Sequence, residues 1–93
     1  MKVIDYKVPD GKLLKIKVEI KNSSIKSITI LGDFFLHPES TIEEIEDALV
    51  GCPIDTKTMT KKVQEALDNS NSTLIGASAS DIARAIERAS LSE

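Results

Sequence analysis

The chain has 93 residues and a mass of 10.1 kDa, a length that predicts one domain and excludes a multidomain enzyme. A net charge of −3 and only three aromatic residues, none of them tryptophan, argue against nucleic-acid binding, which uses basic surfaces and stacking rings. No apolar run approaches the ~20 residues that span a bilayer, and no basic head precedes an apolar stretch at the N-terminus. We therefore expect residues 1–93 to form one cytoplasmic domain that binds neither nucleic acid nor membrane.

The first third of the chain alternates in the way that β-strands do. Residues 2–8 alternate in part, residues 9–12 (Pro-Asp-Gly-Lys) have the composition of a hairpin turn, and residues 13–20 place apolar and charged side chains on opposite faces. The pattern is interrupted at residues 21–24 and resumes over residues 25–31. This spacing predicts a three-stranded antiparallel meander.

After Gly32 the apolar spacing becomes helical. Residues 41–50 carry an apolar stripe and follow two candidate N-terminal caps, Ser40 and Thr41, each with a glutamate three positions later. Gly51 supplies a common helix stop. The pattern predicts a first helix over residues 41–50.

Two more helices are predicted in the second half. One begins at Thr56 and ends within residues 68–72, and another covers residues 81–91 with Ser80 as its cap. Residues 73–76 are too short to assign. Strands followed by helices predict an α+β fold, in which about three helices pack on one face of the three-stranded antiparallel meander.

Charge is distributed unevenly along the chain. Residues 1–31 contain seven lysines and three acidic residues, whereas residues 32–55 contain seven acidic residues and no basic one. This predicts a basic outer face on the sheet and an acidic first helix, which would orient the domain against a partner of complementary charge. A simpler interpretation is that the lysines prevent aggregation of the sheet and that the glutamates only solvate the helix.

Few groups could carry chemistry. The single cysteine, Cys52, cannot form an internal disulfide, and together with the single histidine, His37, it falls short of a structural zinc set. The predicted helix between them rises about 15 Å, which disfavours a Cys52–His37 dyad. Cys52 follows a helix C-terminus, where the dipole opposes a thiolate, so we expect a small buried apolar residue. We assign no catalytic residue and no metal ligand.

Nucleotide and acid–base sites are also disfavoured. Neither GxGxxG nor GxxxxGK[ST] occurs, and the four glycines lie singly at the ends of predicted elements. The carboxylates cluster on a solvated helix. No apolar pocket is evident that would raise the pKa of one carboxyl above that of another, as an acid–base pair requires. We expect no cofactor to bind this chain by itself.

The most distinctive segment lies between the last predicted strand and the first predicted helix, at residues 32–39. It places two of the three aromatic residues side by side, next to a carboxylate. Adjacent residues of an extended segment point to opposite faces, so one ring can enter the core while the other faces outward as an anchor for a partner. Both rings could instead fill the gap between sheet and helices. The candidate partner-binding residues are Asp33, Phe34, Phe35, Leu36 and His37.

These residues also carry a family resemblance. Residues 30–39 read ILGDFFLHPE, residues 42–46 read IEEIE, Leu49 and Gly51 follow, and residues 81–86 have the pattern DI..AI. In this order they resemble the C-terminal accessory domain of lipoate-protein ligase A, over nearly the whole chain. That domain is usually fused behind a catalytic domain, but it also occurs as a separate small subunit, which a chain of 93 residues resembles more closely.

The resemblance implies a non-catalytic accessory subunit in a heterodimer. The catalytic ligase subunit would bind lipoate, ATP and magnesium and form lipoyl-AMP. It would then transfer the lipoyl group to a lysine of lipoyl domains or of the glycine-cleavage H protein. The small subunit would support the adenylation step and would not ligate lipoate alone.

Two other classes of function remain open. The α+β outline is similar to sulfur-acceptor and iron–sulfur scaffold proteins, in which Cys52 would carry the sulfur and would have to be exposed and rapidly alkylated. The chain could also be a generic protein-binding module. Co-purification with a catalytic ligase chain would distinguish a ligase subunit from such a module.

Overall fold

A computed structural model describes residues 2–8, 13–32 and 35–91. Over these residues the chain forms an antiparallel three-stranded sheet, three helices and a separate two-stranded ribbon, so the predicted α+β fold is confirmed. The ribbon was not predicted. The elements are β1 (Lys2–Lys7), β2 (Leu13–Lys21), β3 (Ser24–Gly32), β4 (Phe35–His37), α1 (Thr41–Leu49), α2 (Thr56–Asn69), β5 (Thr73–Ile75) and α3 (Ala79–Leu91).

The sheet has the order β1-β2-β3, and its register follows the alternation of the sequence. Ile4 lies opposite Ile16, and Ile16 lies opposite Ile30, which forms an apolar row across the inner face. The neighbouring row, with Asp5 and Lys15, points outward. The predicted lysine-rich outer face is therefore present, and the inner face is free to pack against the helices.

A two-residue turn joins β2 and β3 where the sequence pattern is interrupted. Lys21 pairs with Ser24, and the two residues between them, Asn22 and Ser23, have φ angles of 54° and 64°. Positive φ at both central positions is typical of the type I′ turn, whose twist matches that of the flanking strands. The turn predicted at residues 9–12 lies outside the described residues.

Two helices cover the inner face of the sheet, and the third packs on those two. α1 packs against β3, α3 packs against β1 and β2, and α2 packs against both α1 and α3. This packing confirms the apolar stripes predicted for the helices. The residues of these stripes are buried, except that Ile42 is only partly buried. Within the described residues, no helix is both long enough and apolar enough to traverse a bilayer. The fully buried large side chains of the helices are Ile45, Leu49, Met59, Val63, Ile82 and Ile86.

The start of α1 differs from the prediction. Ser40 has helical φ and ψ angles of −60° and −18° and makes no capping hydrogen bond with its side chain. Thr41 is fully buried, and its hydroxyl forms a hydrogen bond of 2.6 Å with the hydroxyl of Ser72. The capping prediction for Ser40 is therefore wrong, and the Thr41 hydroxyl is engaged in a tertiary contact.

The other two helices begin with side-chain caps. Asp55 accepts hydrogen bonds from the hydroxyl and the backbone N–H of Thr58, at 2.6 and 3.0 Å, which lower the pKa of the Asp55 carboxyl. In α3 the Ser78 N–H donates to the Asp81 carboxylate at 2.9 Å, and the Asp81 N–H donates back to the Ser78 hydroxyl at 3.3 Å. Ser78 is thus the cap and Ser80 lies inside the helix, so the predicted start was two residues late.

The outer edge of β3 is covered by hydrogen bonds from the rest of the fold. The Ile25 N–H donates to the Cys52 carbonyl at 3.0 Å, and the Gly51 N–H donates to the Ile25 carbonyl at 2.7 Å. Further along the strand, the Ile30 N–H donates to a carboxylate oxygen of Glu46 at 2.8 Å. An edge strand with paired backbone groups is protected from pairing with other chains, and α1 is held in place at the same time.

Replacement of Glu46 by alanine should lower the free energy of unfolding by about 1–3 kcal/mol, because the Ile30 N–H would lose its acceptor in a partly buried position. Glu46→Gln keeps an acceptor oxygen and should lower the free energy of unfolding by less. The neighbouring exposed substitution Asp47→Ala should not destabilise the domain, since alanine favours the helix. Urea unfolding measures all three, and equal stabilities of Glu46→Ala and Asp47→Ala would contradict the role of this contact.

Candidate partner-binding surface

The predicted site segment forms one strand of the β4–β5 ribbon. Phe35 lies opposite Ile75, and the next two pairs are Leu36 with Leu74 and His37 with Thr73. Two isolated strands of this length are at best marginally stable in water. The ribbon therefore depends on the side chains that it places in the core.

The two faces of the ribbon have opposite environments. On the inner face, Leu36 is 7% exposed and Leu74 is partly buried against the core. On the outer face, Phe35 is 61% exposed and Ile75 is 59% exposed. Alternation along each strand explains this division, because anchoring Leu36 and Leu74 inward directs their neighbours outward.

A groove adjoins the exposed face of the ribbon. It has a volume of about 300 Å³ and lies between the end of β3, β4 and the approach to α1. Leu31, which is 46% exposed, and Phe35 form part of its wall, and the carboxylate-bearing Glu39 also lines it. We name Leu31, Phe35, Ile75 and Glu39 together the ribbon surface.

The five predicted site residues do not share one environment. Asp33 and Phe34 lie outside the described residues. Phe35 and His37 are exposed, whereas Leu36 is buried in the core and also lines the groove beside Phe35. The alternative in which Phe35 fills the gap between sheet and helices is not what the structure shows. Partner binding by this segment stays a prediction.

Three members of the ribbon surface, the apolar Leu31 and Ile75 and the acidic Glu39, are not among the predicted partner-binding residues. Ile75 lies in a strand of three residues, too short for any periodicity to be recognised. Leu31 could have been found, because the alternation of β3 places it on the outward side of the sheet, opposite Lys15. An apolar residue in an outward register position is a signal of a possible contact surface.

The charge beside the groove of the ribbon surface comes from one carboxylate. Among the described residues that line the groove, Glu39 is the charged one. Glu44 and Asp47 of the acidic helix α1 line a different groove, between α1 and α2, together with Lys62. From residue 32 to residue 55 the sequence contains no lysine or arginine, and Lys15 lies opposite Leu31 in the sheet.

Cys52 lies in the core, as expected for a small buried residue. Its side chain is 4% exposed, and burial raises the pKa of the thiol, with a further contribution in the same direction from the charge of Asp55 and an opposing one from Lys62. A sulfur carrier needs an accessible thiolate, so the alternative based on Cys52 lacks its structural requirement. Among the described residues there is no group of three or more His, Cys, Asp or Glu side chains arranged to hold a metal ion.

The two neighbouring positions of β4 should respond oppositely to truncation. Leu36→Ala should lower the free energy of unfolding by about 2–5 kcal/mol, because it empties a buried site. Phe35→Ala should change it by less than about 0.5 kcal/mol, because the ring is mostly in solvent. Thermal or urea unfolding measures the free energy of unfolding of both variants. A similar decrease for both would show that the assignment of inner and outer faces is wrong.

Cys52 should react slowly in the native protein. At neutral pH we expect alkylation by iodoacetamide to be at least about tenfold slower than in the urea-unfolded chain, because burial restricts access and suppresses the thiolate. Mass spectrometry of the modified protein over time gives both rates. Equal rates would restore Cys52 as a candidate sulfur carrier.

Comparison with known proteins identifies the family. Residues 5–86 match the family model described as the bacterial lipoate protein ligase C-terminus. The curated lipoate-protein ligase A subunit 2 of Thermoplasma acidophilum is 40% identical over 51 residues. These residues make up 55% of this chain and 53% of that protein, so the match spans about half the length of this relative.

A solved structure is similar over most of the chain. It comes from Thermoplasma acidophilum and concerns an archaeal lipoylation system, with a bi-partite lipoate protein ligase and its E2 lipoyl domain. The similarity has a TM-score of 0.72 at 25% identity and covers 90% of this chain and 96% of the other, so the two chains have nearly equal lengths. The match to the family model covers most of the sequence, and the chain belongs to the family of bacterial lipoate protein ligase C-terminal domains.

Proposed function

We propose that this chain is the non-catalytic small subunit of a two-chain lipoate-protein ligase and that it acts in a heterodimer with a catalytic chain. The observation that carries the proposal is the similarity over nearly the full length of both chains to a protein of a bi-partite ligase system. The partial similarity to a protein called subunit 2 supports the same role. No separate observation favours a generic binding module.

The catalytic chain would supply the chemistry. We expect it to bind lipoate, ATP and magnesium, to form lipoyl-AMP, and to pass the lipoyl group to a lysine of an acceptor protein. The E2 lipoyl domain that accompanies the similar ligase supports a lipoyl domain as one acceptor. The glycine-cleavage H protein, which carries a similar lipoyl-lysine, is a second acceptor under this proposal.

The small subunit would act through the conformation of its partner. An acyl-adenylate must form in a site that excludes water, because water competes for the reactive carbonyl. Loops that close over such sites determine the rate of many enzymes. A small domain that binds the closed state of the catalytic chain more tightly than the open state shifts the population toward the closed state. The buried core and the hydrogen-bonded β3 edge stabilise the fold that would make such a contact.

Addition of this chain to the purified catalytic subunit should raise the rate of lipoyl-AMP formation at least about tenfold, which corresponds to about 1.4 kcal/mol of bias toward the competent state. Lipoate-dependent release of pyrophosphate from ATP, which accompanies formation of lipoyl-AMP, measures the effect. This chain alone should form no lipoyl-AMP.

The control uses the Leu36→Ala variant under conditions where it is unfolded, since an unfolded chain should give no stimulation at the same concentration. Equal rates of lipoyl-AMP formation with and without the native small chain would contradict the proposed function. Formation of lipoyl-AMP by the small chain in the absence of any partner would contradict it as well.

A further inference from the structure

The ribbon surface exposes apolar side chains that the fold does not need to expose. Phe35 and Ile75 lie opposite each other across the ribbon, each more than half exposed, and Leu31 lines the same groove as Phe35. Apolar side chains exposed singly are ordinary, whereas adjacent ones mark interaction surfaces in soluble proteins. Polar residues at these outward positions would leave the inner contacts of Leu36 unchanged, so packing within the chain does not account for them.

The groove beside Phe35 has the size and lining of a receptor for a side chain. Its floor includes Ile30 and Leu36, which are buried, and the partly buried Ile42. Its volume of about 300 Å³ is at the lower end of the range of ligand pockets, ~300–1,000 Å³. The volume and the mostly apolar lining are compatible with a protruding apolar side chain of another protein.

The rim of the ribbon surface selects the charge of the occupant. Glu39 is exposed and is the charged residue among the described residues that line the groove. No lysine or arginine occurs in the segment from 32 to 55 that also contains Phe35. Complementary charge steers association and fixes the orientation of the partners, so an occupant with lysine or arginine beside its apolar residue is favoured.

We propose that the ribbon surface is the docking site for the catalytic ligase chain, which inserts an apolar side chain, flanked by basic residues, beside Phe35. This inference rests on the proposed function and adds the surface, its central residues and the chemistry of the partner. The ribbon surface is smaller than a standard interface of about 800 Å² per partner, so it forms the energetic centre of a larger contact.

A second copy of this chain is a poorer occupant. A two-fold dimer brings the same patch of both copies together, so Glu39 of one copy would lie near Glu39 of the other. Like charges opposed across an interface disfavour association. The charge pattern therefore favours a different protein over self-association.

The apolar part of the proposal is tested by affinity. Isothermal titration with the purified catalytic ligase chain of the same organism should show a Kd at least about 30-fold higher for Phe35→Ala, as expected of a central anchor. Ile75→Thr, which keeps a β-branched residue in the strand, should also raise the Kd. The matched control Val3→Ala changes a residue that is 50% exposed on the outer face of β1 and should leave the Kd within about threefold.

The electrostatic part is tested by charge reversal and salt. Glu39→Lys should weaken binding and reduce its dependence on ionic strength, whereas Glu65→Lys, an exposed reversal on α2, should change the Kd by less than about threefold. All five variants are first checked for unchanged thermal unfolding, so that a loss of binding reports on the surface. A Glu39→Lys variant that binds as tightly as the unmodified chain contradicts the proposed charge of the partner.

Failure of the docking proposal can be separated from failure of the proposed function. If the unmodified chain binds and stimulates the catalytic chain but Phe35→Ala and Ile75→Thr do so equally well, the docking site is wrong and the proposed function stands. If the unmodified chain does not bind the catalytic chain, both are wrong. Analytical ultracentrifugation of the chain alone adds one further outcome, because a dimer that Phe35→Ala dissociates would assign the ribbon surface to self-association and overturn the proposal.

Discussion

Burial of the inner face of the central strand beneath the helices is the contact on which the rest of the structure depends. Leu14, Ile16 and Val18 have no exposed surface, and α1 and α3 pack over the sheet that contains them. Each such side chain contributes about 1.5–3 kcal/mol relative to exposure, against a total stability of about 5–15 kcal/mol for a small domain. The helices are therefore positioned by the sheet, and the ribbon is in turn positioned by the helices and the core.

Periodicity alone was enough to predict the main elements. The alternation of residues 13–20 and the helical stripes of residues 41–50 and 56–67 each reflect one buried face, and a buried face leaves its period in the sequence. The first residue of each helix was harder to predict, because neighbouring serines and threonines are equally plausible N-terminal caps. The structure uses Ser78 in preference to Ser80, and it engages Thr41 with Ser72, a partner that only the tertiary fold brings near.

The candidate site was predicted only in part. The sequence drew attention to the segment that contains Phe35, but it gave no means of knowing that residues 73–75 pair with it. Strands of three residues carry no usable period, and pairing over so long a separation is decided by the folded core. The family resemblance was found from the motif of residues 30–39 and is confirmed over residues 5–86, while the geometry of the surface required the structure.

The ribbon joins two distant parts of the chain, one before α1 and the other just before α3. Because α1 and α2 lie between the two strands in the chain, the exposed pair of Phe35 and Ile75 is complete only where residues 35–37 and 73–75 have come together. A partner that contacts both side chains would therefore recognise the folded chain and not either segment by itself.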